Sequence, residues 1–403
     1  MCEKKDKLRF FLVFSVGYLA YTSIYAARLN FSVAATLLQE QNILNKAQIG
    51  IIGSVFSLVY ALAKVPNGYI GDHFSTKKVI IIGLLITGVS NLMIGLFPCF
   101  VSIMILWGLN AYGQSMLWGP LLRTFSENYG EERFKKISQI LVSSVAAGSI
   151  VGLQIATRCV SLGSAAVCFL IPSGITLIMA LLVKLWFIDA AGEKKRRGKS
   201  VFQELRELLH EKKFRWIMIP AISHGMIKDN INVWLAVYFV DTYGVDLKQM
   251  AGFIFLIPTF AFVGRMLYMP FYRILKNEYR ISMLCFGICS ISAAVLIQDH
   301  LPAFLALMCL GIISALVSMI NTHLLSAFPA EFPEQNNISF VASIMDVLTY
   351  GGAGIGSLCF GILIQYFGYQ SMFFIWMGFS LISIWFLRHL DQIHQPFCIQ
   401  KEA

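Results

Sequence analysis

Residues 10–38 read FFLVFSVGYLAYTSIYAARLNFSVAATLL. From Phe10 to Ala27 the stretch carries no charge, and from Phe31 to Leu38 it is again mostly apolar; Arg28 interrupts it. An apolar run of this length crosses a bilayer core of about 30 Å as a helix. Arg28 then lies about 27 Å along the helix from Phe10, at 1.5 Å per residue. Either the span ends there, with the guanidinium reaching outward to the headgroups, or the helix continues and Arg28 faces a cavity. The first reading leaves Phe31 to Leu38 as an apolar segment in water. A long first helix carrying a cation within the membrane is therefore expected. Such a charge costs at least about 2.5–3.5 kcal/mol at a helix centre, so it needs a reason.

The rest of the chain repeats the pattern. Of its 403 residues, 57% are hydrophobic and 13% charged, against roughly a quarter charged in soluble proteins. Twelve candidate spans follow one another: 10–38, 48–71, 78–98, 101–122, 137–159, 164–188, 214–240, 249–272, 281–298, 302–327, 338–366 and 370–388. This is the pattern of an all-α integral membrane protein. The net charge of +10 does not call for a nucleic acid. With the N-terminus in the cytoplasm, Lys46 and Lys248 fall outside the cell. Arg28, Lys64, Arg158, Lys184, Lys228 and Arg265 fall within spans, and every other basic residue falls on the cytoplasmic side. That asymmetry is the positive-inside rule. The nine cysteines are scattered and form no CxxC pair, so neither a zinc site nor a disulfide framework is indicated. Cys285 and Cys289, one helical turn apart, read as packing residues. The first apolar run is too long for a cleavable signal.

The longest polar stretch is AAGEKKRRGKSVFQELRELLHEKKFR, residues 190–215. Its first part reads as a cytoplasmic linker, and Ser200 to Lys213 alternate apolar and charged residues as a helix on the membrane surface does. A calmodulin target or lipid switch is the alternative to a simple tether. The expected organisation is a six-helix half over 1–189, a basic linker over 190–213 and a second six-helix half over 214–403, with both ends cytoplasmic.

Polar residues within spans mark the expected site. Lys64 lies in span two, with Pro66 ready to bend the helix. Lys228 and Asp229 lie together in span seven beside His224, Asn230 and Asn232. Span ten adds Asn321 and His323, and span eleven Asp346. Both halves contribute, as a central site between two rocking halves requires. Arg158 and Lys184, near span ends, read as snorkelling. Arg265 is open between snorkelling and a pair near the cytoplasmic side. Asp346 is open between proton carrier, partner of Lys228 or Arg265, and packing group. Basic groups on both halves point to an anionic small molecule, since arginine offers a planar fork to phosphate or carboxylate and lysine a point charge. No nucleophile with a base, no metal cluster and no cofactor motif is found, so an enzyme is not expected.

Two sets of residues carry family resemblances. GYIGDHFSTKK, residues 68–78, resembles the major facilitator loop motif G-x-x-x-D-R-x-G-R-K. That resemblance implies a gating element in which Gly68 permits close helix approach, Asp72 caps or pairs, and Lys77 and Lys78 supply positive charge; His73 and Ser75 depart from it. YAARLNFSVAATLL and KAQIGIIGSVFSLVYALAKVPNGYIGD resemble the organophosphate:phosphate antiporters, relatives of the glycerol-3-phosphate and hexose-phosphate transporters. So do WGPLLRTFSENYGEER, with Trp118, Pro120, Arg123, Thr124, Glu132 and Arg133 in register, and the span-eleven stretch DVLTYGGAGIG. The resemblance implies that Arg28, Asn30, Phe31 and Lys64 line an anion site and that Asp346 matches an acid of the hexose-phosphate members. There are departures. The second substrate arginine of the family falls on Lys228, its span-five histidine near Ser144, and a lysine–acid pair on Leu29 and about Val233. An acid of span eight is missing around Pro258–Thr259.

The expected function is a secondary transporter of an organic anion, a phosphate ester above all, working as a monomer among membrane lipids. Phosphate or a proton would be the counter-ion, and a bacterial inner membrane the location. In this reading the anion bridges Arg28, Lys64 and Lys228, with Asn30, Asn321 and His323 beside it and Asp346, Asp229 and Arg265 in the charge network. The alternatives are a proton-coupled carrier of a carboxylate or other polar solute and a non-transporting membrane sensor of a sugar phosphate.

Overall fold

The computed structural model describes residues 2–129, 131–160, 164–191, 201–245, 247–298, 300–332 and 338–399. Every regular element in them is helical. In chain order these are α1 (Cys2–Glu40), α2 (Lys46–His73), α3 (Thr76–Leu96), α4 (Phe100–Ser115), α5 (Trp118–Asn128), α6 (Glu131–Val160) and α7 (Ala165–Trp186). They are followed by α8 (Val201–His210), α9 (Lys212–Tyr243), α10 (Leu247–Leu275), α11 (Glu278–Leu296), α12 (Ala303–Thr322), α13 (Ile338–Phe367) and α14 (Tyr369–Ile399). α4 and α5 together make the fourth crossing, broken by a turn at Met116–Leu117. α12 continues as a π turn over His323–Ala327 and a 3₁₀ turn over Phe328–Glu331. With α8 set aside as the linker helix, twelve crossings remain. Among the described residues, nine helices are long and apolar enough to span a membrane on length and composition alone. α9 falls short because Lys228, Asp229, Asn230 and Asn232 lower the hydropathy of its middle.

Local chemistry sets the helix ends. α2 begins in a capping box, with Gln48 N donating to Asn45 Oδ1 at 2.9 Å and Asn45 N donating to Gln48 Oε1 at 2.9 Å. Gly244 (φ +60°) and Gly368 (φ +76°) follow α9 and α13 in the left-handed conformation that suits a helix stop. α1 runs unbroken through Arg28 to Glu40, and Phe31, Val33, Ala34, Ala35 and Leu38 are buried. The longer reading of the first span is the structural one.

The chain forms two compact units, Met1–Arg196 with Leu235–Phe255, and Arg197–Trp234 with Leu256–Ala403. In the first, Phe125, Leu121, Val183 and Phe187 anchor a core shared by α1, α5 and α7, with the rings of Phe125 and Phe187 edge to face at 6.0 Å. Helices meet closely where glycine permits it: a Cβ on Gly148 or Gly152 of α6 would come within 2.9 Å of the backbone of Thr22 or Ala26 on α1. Asp241, at the end of α9, joins this unit through a 2.6 Å ion pair with Lys46 and a hydrogen bond from Gln39. In the second unit, α9 and α13 touch backbone to backbone, and Phe360, Phe373 and Trp376 are buried. The exposed side chains Leu62, Ile178, Ile291, Phe304 and Trp385 are those of a protein whose solvent is lipid. Of the linker, residues 192–200 lie outside the described part; α8 buries Leu208 and exposes Leu209 and His210.

Candidate functional site

Helical spacing builds the first part of the site. On α2, Phe56, Tyr60 and Lys64 stand four residues apart and share a face. On α1, Tyr25 and Arg28 are three apart. The two faces meet around one guanidinium. Arg28 Cζ lies 5.0 Å from the Phe56 ring centre, 5.1 Å from Tyr60 and 5.7 Å from Tyr25. Lys64 Nζ lies 5.4 Å from the same Tyr60 ring. Phe56 and Tyr60 are buried, while Arg28 and Lys64 are half-buried. Two cations therefore lie against one tyrosine ring. Cation–π contacts are worth about 2 kcal/mol or more when desolvated, which offsets part of the cost of holding like charges together. The aromatic partners were not singled out in the sequence, although a tyrosine one turn before Lys64 and another three residues before Arg28 are legible there.

Asn30 is placed elsewhere. It is fully buried, two residues from Arg28 and so on another face of α1, and its amide donates to Asn91 Oδ1 at 2.9 Å and Cys168 O at 3.0 Å. Expected beside the anion, Asn30 here packs α1 against α3 and α7. Ser144, where the resembling family has a histidine, is buried and donates to Leu141 O.

In the second unit, Lys228 Nζ lies 5.4 Å from the Tyr350 ring centre and 3.9 Å from Asp229 Oδ2. A cation against a tyrosine face thus recurs. His224, one turn earlier on α9, is fully buried with Nε2 at 3.0 Å from Val317 O. Asn230 donates to Met226 O and Ala353 O, which ties α9 to α13. Asp346 on α13 and Arg265 on α10 are half-buried, as is Asn321, whose Oδ1 has no hydrogen-bond partner among the described residues. His323 does not open onto a site. It is fully buried, with Nδ1 at 2.7 Å from Ser282 Oγ and its ring edge-on to Tyr279 at 5.1 Å. Expected beside the substrate, it here packs between α11 and the π turn.

The sequence profile of the Major Facilitator Superfamily matches residues 17–345. The chain belongs to this superfamily. It is similar to a probable hexose phosphate transport protein of Chlamydia trachomatis serovar D, 30% identical over 131 residues. That match covers 32% of this chain and 29% of the relative, so it spans less than a third of either. A phosphoglycerate transporter protein of Salmonella typhimurium is 22% identical over 413 residues, covering 92% of this chain and 86% of that one. Among solved structures, the nucleoside transporter NupG superposes with a TM-score of 0.76 at 13% identity, covering 94% of this chain and 98% of that chain. That likeness concerns the fold alone. As a member of the superfamily with multiple apolar helices, the chain is a multi-pass membrane protein.

In this facilitator-superfamily chain the α2–α3 loop is built differently from the motif it resembles. A Cβ on Gly68 would meet nothing within 4 Å, so the expected close approach is not there. It occurs one turn on, at Gly71, where a Cβ would lie 3.1 Å from the Pro120 ring. Arg123 Nη1 donates to Gly71 O at 2.8 Å while its Nε pairs with Glu127 at 2.8 Å. The side chain of Asp72 lies outside the described part. Ser75, where the motif has glycine, caps α3 by accepting from Lys78 N at 3.3 Å. It also donates to Asp189, an acid the sequence reading passed over. Asp189 further accepts from Thr76 Oγ1 at 2.8 Å, Lys77 N at 3.3 Å and Ala190 N at 3.1 Å. An acceptor aimed at the first amides of α3 suits the positive end of the helix. Burial raises the Asp189 carboxyl, but these four donors outweigh it and hold it below the ordinary aspartate value.

The depressed group stabilises the fold above the unfolded aspartate value, about 3.9. That contribution is lost as pH falls through the lower folded value. Asp189→Ala should therefore lower thermal stability at pH 7 by about 1 kcal/mol, kept small by solvent exposure. The gap to the unmodified protein should close below pH 4, as measured by melting in detergent across pH.

Proposed function

We propose that the chain is a secondary transporter of an organic anion, a phosphate ester foremost, working by alternating access in a bacterial inner membrane. The observation that carries this reading is the pair Arg28 and Lys64 against one tyrosine ring. Two half-buried cations beside one aromatic ring offer a dianion two positive partners from adjacent helices. A phosphoryl group offers Arg28 two oxygens for its fork and Lys64 a third. Within the second unit, Lys228 repeats the arrangement of a cation beside a tyrosine ring. The similarity to proteins named for hexose phosphate and phosphoglycerate transport supports the phosphate ester over the carboxylate. Inorganic phosphate is the counter-substrate in this reading, and residues 190–213 act as a cytoplasmic tether between the halves.

Asp346, placed on α13 one turn before Tyr350, favours a second reading in which a proton is coupled to transport. Thermal melting of the purified protein with inorganic phosphate, hexose phosphates, glycerol phosphates and dicarboxylates tests the substrate class. Phosphate compounds should raise the melting temperature and dicarboxylates should not; the reverse order sinks the phosphate-ester reading. Asp346→Asn should melt like the unmodified protein but transport more slowly. Transport unchanged at every pH would leave Asp346 a packing group only.

A further inference from the structure

One backbone carbonyl of α1 is the meeting point of three buried amides. Ala27 O accepts from Asn110 Nδ2 of α4 at 2.8 Å, from Gln114 Nε2 of α4 at 3.3 Å and from Asn91 Nδ2 of α3 at 3.4 Å. Gln114 also donates to Asn110 Oδ1 at 3.0 Å, and Asn91 Oδ1 accepts from Asn30 at 2.9 Å. Asn30, Asn91, Asn110 and Gln114 are all 0% exposed. A helical carbonyl already serves its own ladder and has two lone pairs, so Asn110 at 2.8 Å makes the main extra bond and the amides of Gln114 and Asn91 share the oxygen at longer range. Asn91 Nδ2 also donates to Thr87 O at 3.0 Å and Asn30 Nδ2 to Cys168 O at 3.0 Å, while Asn30 Oδ1 and Gln114 Oε1 remain without hydrogen-bond partners among the described residues. Four buried polar side chains are costly in an apolar bundle unless satisfied. The carbonyl they converge on belongs to the residue immediately before Arg28.

We infer that Asn91, Asn110 and Gln114 are positioning residues of the anion site: by pinning the α1 turn at Ala27, they fix where Arg28 presents its guanidinium. This rests on the anion-site reading of Arg28. The amides themselves touch no substrate. Clamping that turn from α3 and α4 sets the height and rotation of α1 against Phe56 and Tyr60 on α2. A fork aimed at two oxygens is more sensitive to such rotation than a point charge, so the effect should run through Arg28 and spare Lys64.

The test is a double-mutant cycle read as the dissociation constant of inorganic phosphate, titrated into purified protein well below its melting temperature. Asn110→Ala should weaken binding by about three- to tenfold in the native background and by less than about twofold in Arg28→Ala, because coupled sites are not additive. Unchanged affinity in Asn110→Ala, or the same fold-loss in both backgrounds, would overturn the positioning role and leave a packing cluster. If Arg28→Ala alone leaves phosphate binding unchanged, it is the anion-site reading that falls. Should Asn110→Ala not fold, Gln114→Ala carries the same cycle, since it keeps the Asn110 bond to Ala27. Equal loss from Gln114→Ala in both backgrounds would count against the inference in the same way.

Discussion

Arg28→Ala is expected to weaken phosphate binding at least tenfold and to abolish measurable transport, while the protein still folds. Each charge-assisted hydrogen bond contributes roughly 1.5–3 kcal/mol, and about 1.4 kcal/mol is a factor of ten. Loss of one bond of the fork thus suffices for the lower bound. The variant should fold because α1 is held by its buried face, including Val33, Ala34 and Leu38, and not by the guanidinium. Arg28→Lys should recover only part of the affinity, since an ammonium keeps the charge and loses the bidentate geometry. Lys64→Ala should weaken binding with less dependence on the shape of the anion. Titration of phosphate into each purified variant checks all three. An Arg28→Lys protein with native affinity would show that charge alone, without the fork, is what the site uses.

The second large effect concerns folding. A methyl group on Gly225 of α9 would lie 1.8 Å from Thr349 O of α13, and one on Gly352 of α13 would lie 2.2 Å from Ile222 O of α9. The obstacle is backbone on both sides, so no side-chain rotation relieves it. Small residues at such crossings let membrane helices touch, where dispersion contacts replace a hydrophobic drive. Gly225→Ala should therefore cost more than the roughly 1–3 kcal/mol typical of overpacking and yield little folded protein on size-exclusion of a detergent extract. Gly351→Ala, on the same α13, is the internal control because a Cβ there meets nothing within 4 Å. It should fold normally, alanine being about 1 kcal/mol the better helix former. Native-like melting of Gly225→Ala would mean that α9 and α13 are not packed this closely.

What could be read from the residues divides along physical lines. Span number and the unbroken first helix were legible because bilayer thickness and the cost of exposing Phe31 to Leu38 leave few alternatives. Arg28 and Lys64 stood out because a charge in lipid is expensive. Helical phase was harder. Asn30 and His323 are polar residues in spans, but they spend their polarity on Asn91, Cys168 O and Ser282 inside the bundle. A polar side chain in a span is equally at home in a cavity or in a packed crossing, and composition does not separate the two. Tyr25, Phe56 and Tyr60 were missed for the opposite reason: aromatic residues are common throughout the chain, and only three-dimensional placement makes them partners of a cation. Asp189 lies in a segment that reads as a span end, and its role appears only when the α3 N-terminus folds back beside it. Gly68 matched a motif position, yet the neighbour that would need it is opposite Gly71.

Exchange across reconstituted vesicles tests the central claim most directly. Proteoliposomes preloaded with inorganic phosphate and presented with labelled phosphate should accumulate label without an imposed proton gradient. External hexose phosphate should compete, and Arg28→Ala vesicles should accumulate none. Phosphate that binds without exchanging would indicate a sensor. Carboxylate uptake that follows a proton gradient, with no phosphate exchange, would contradict the account outright.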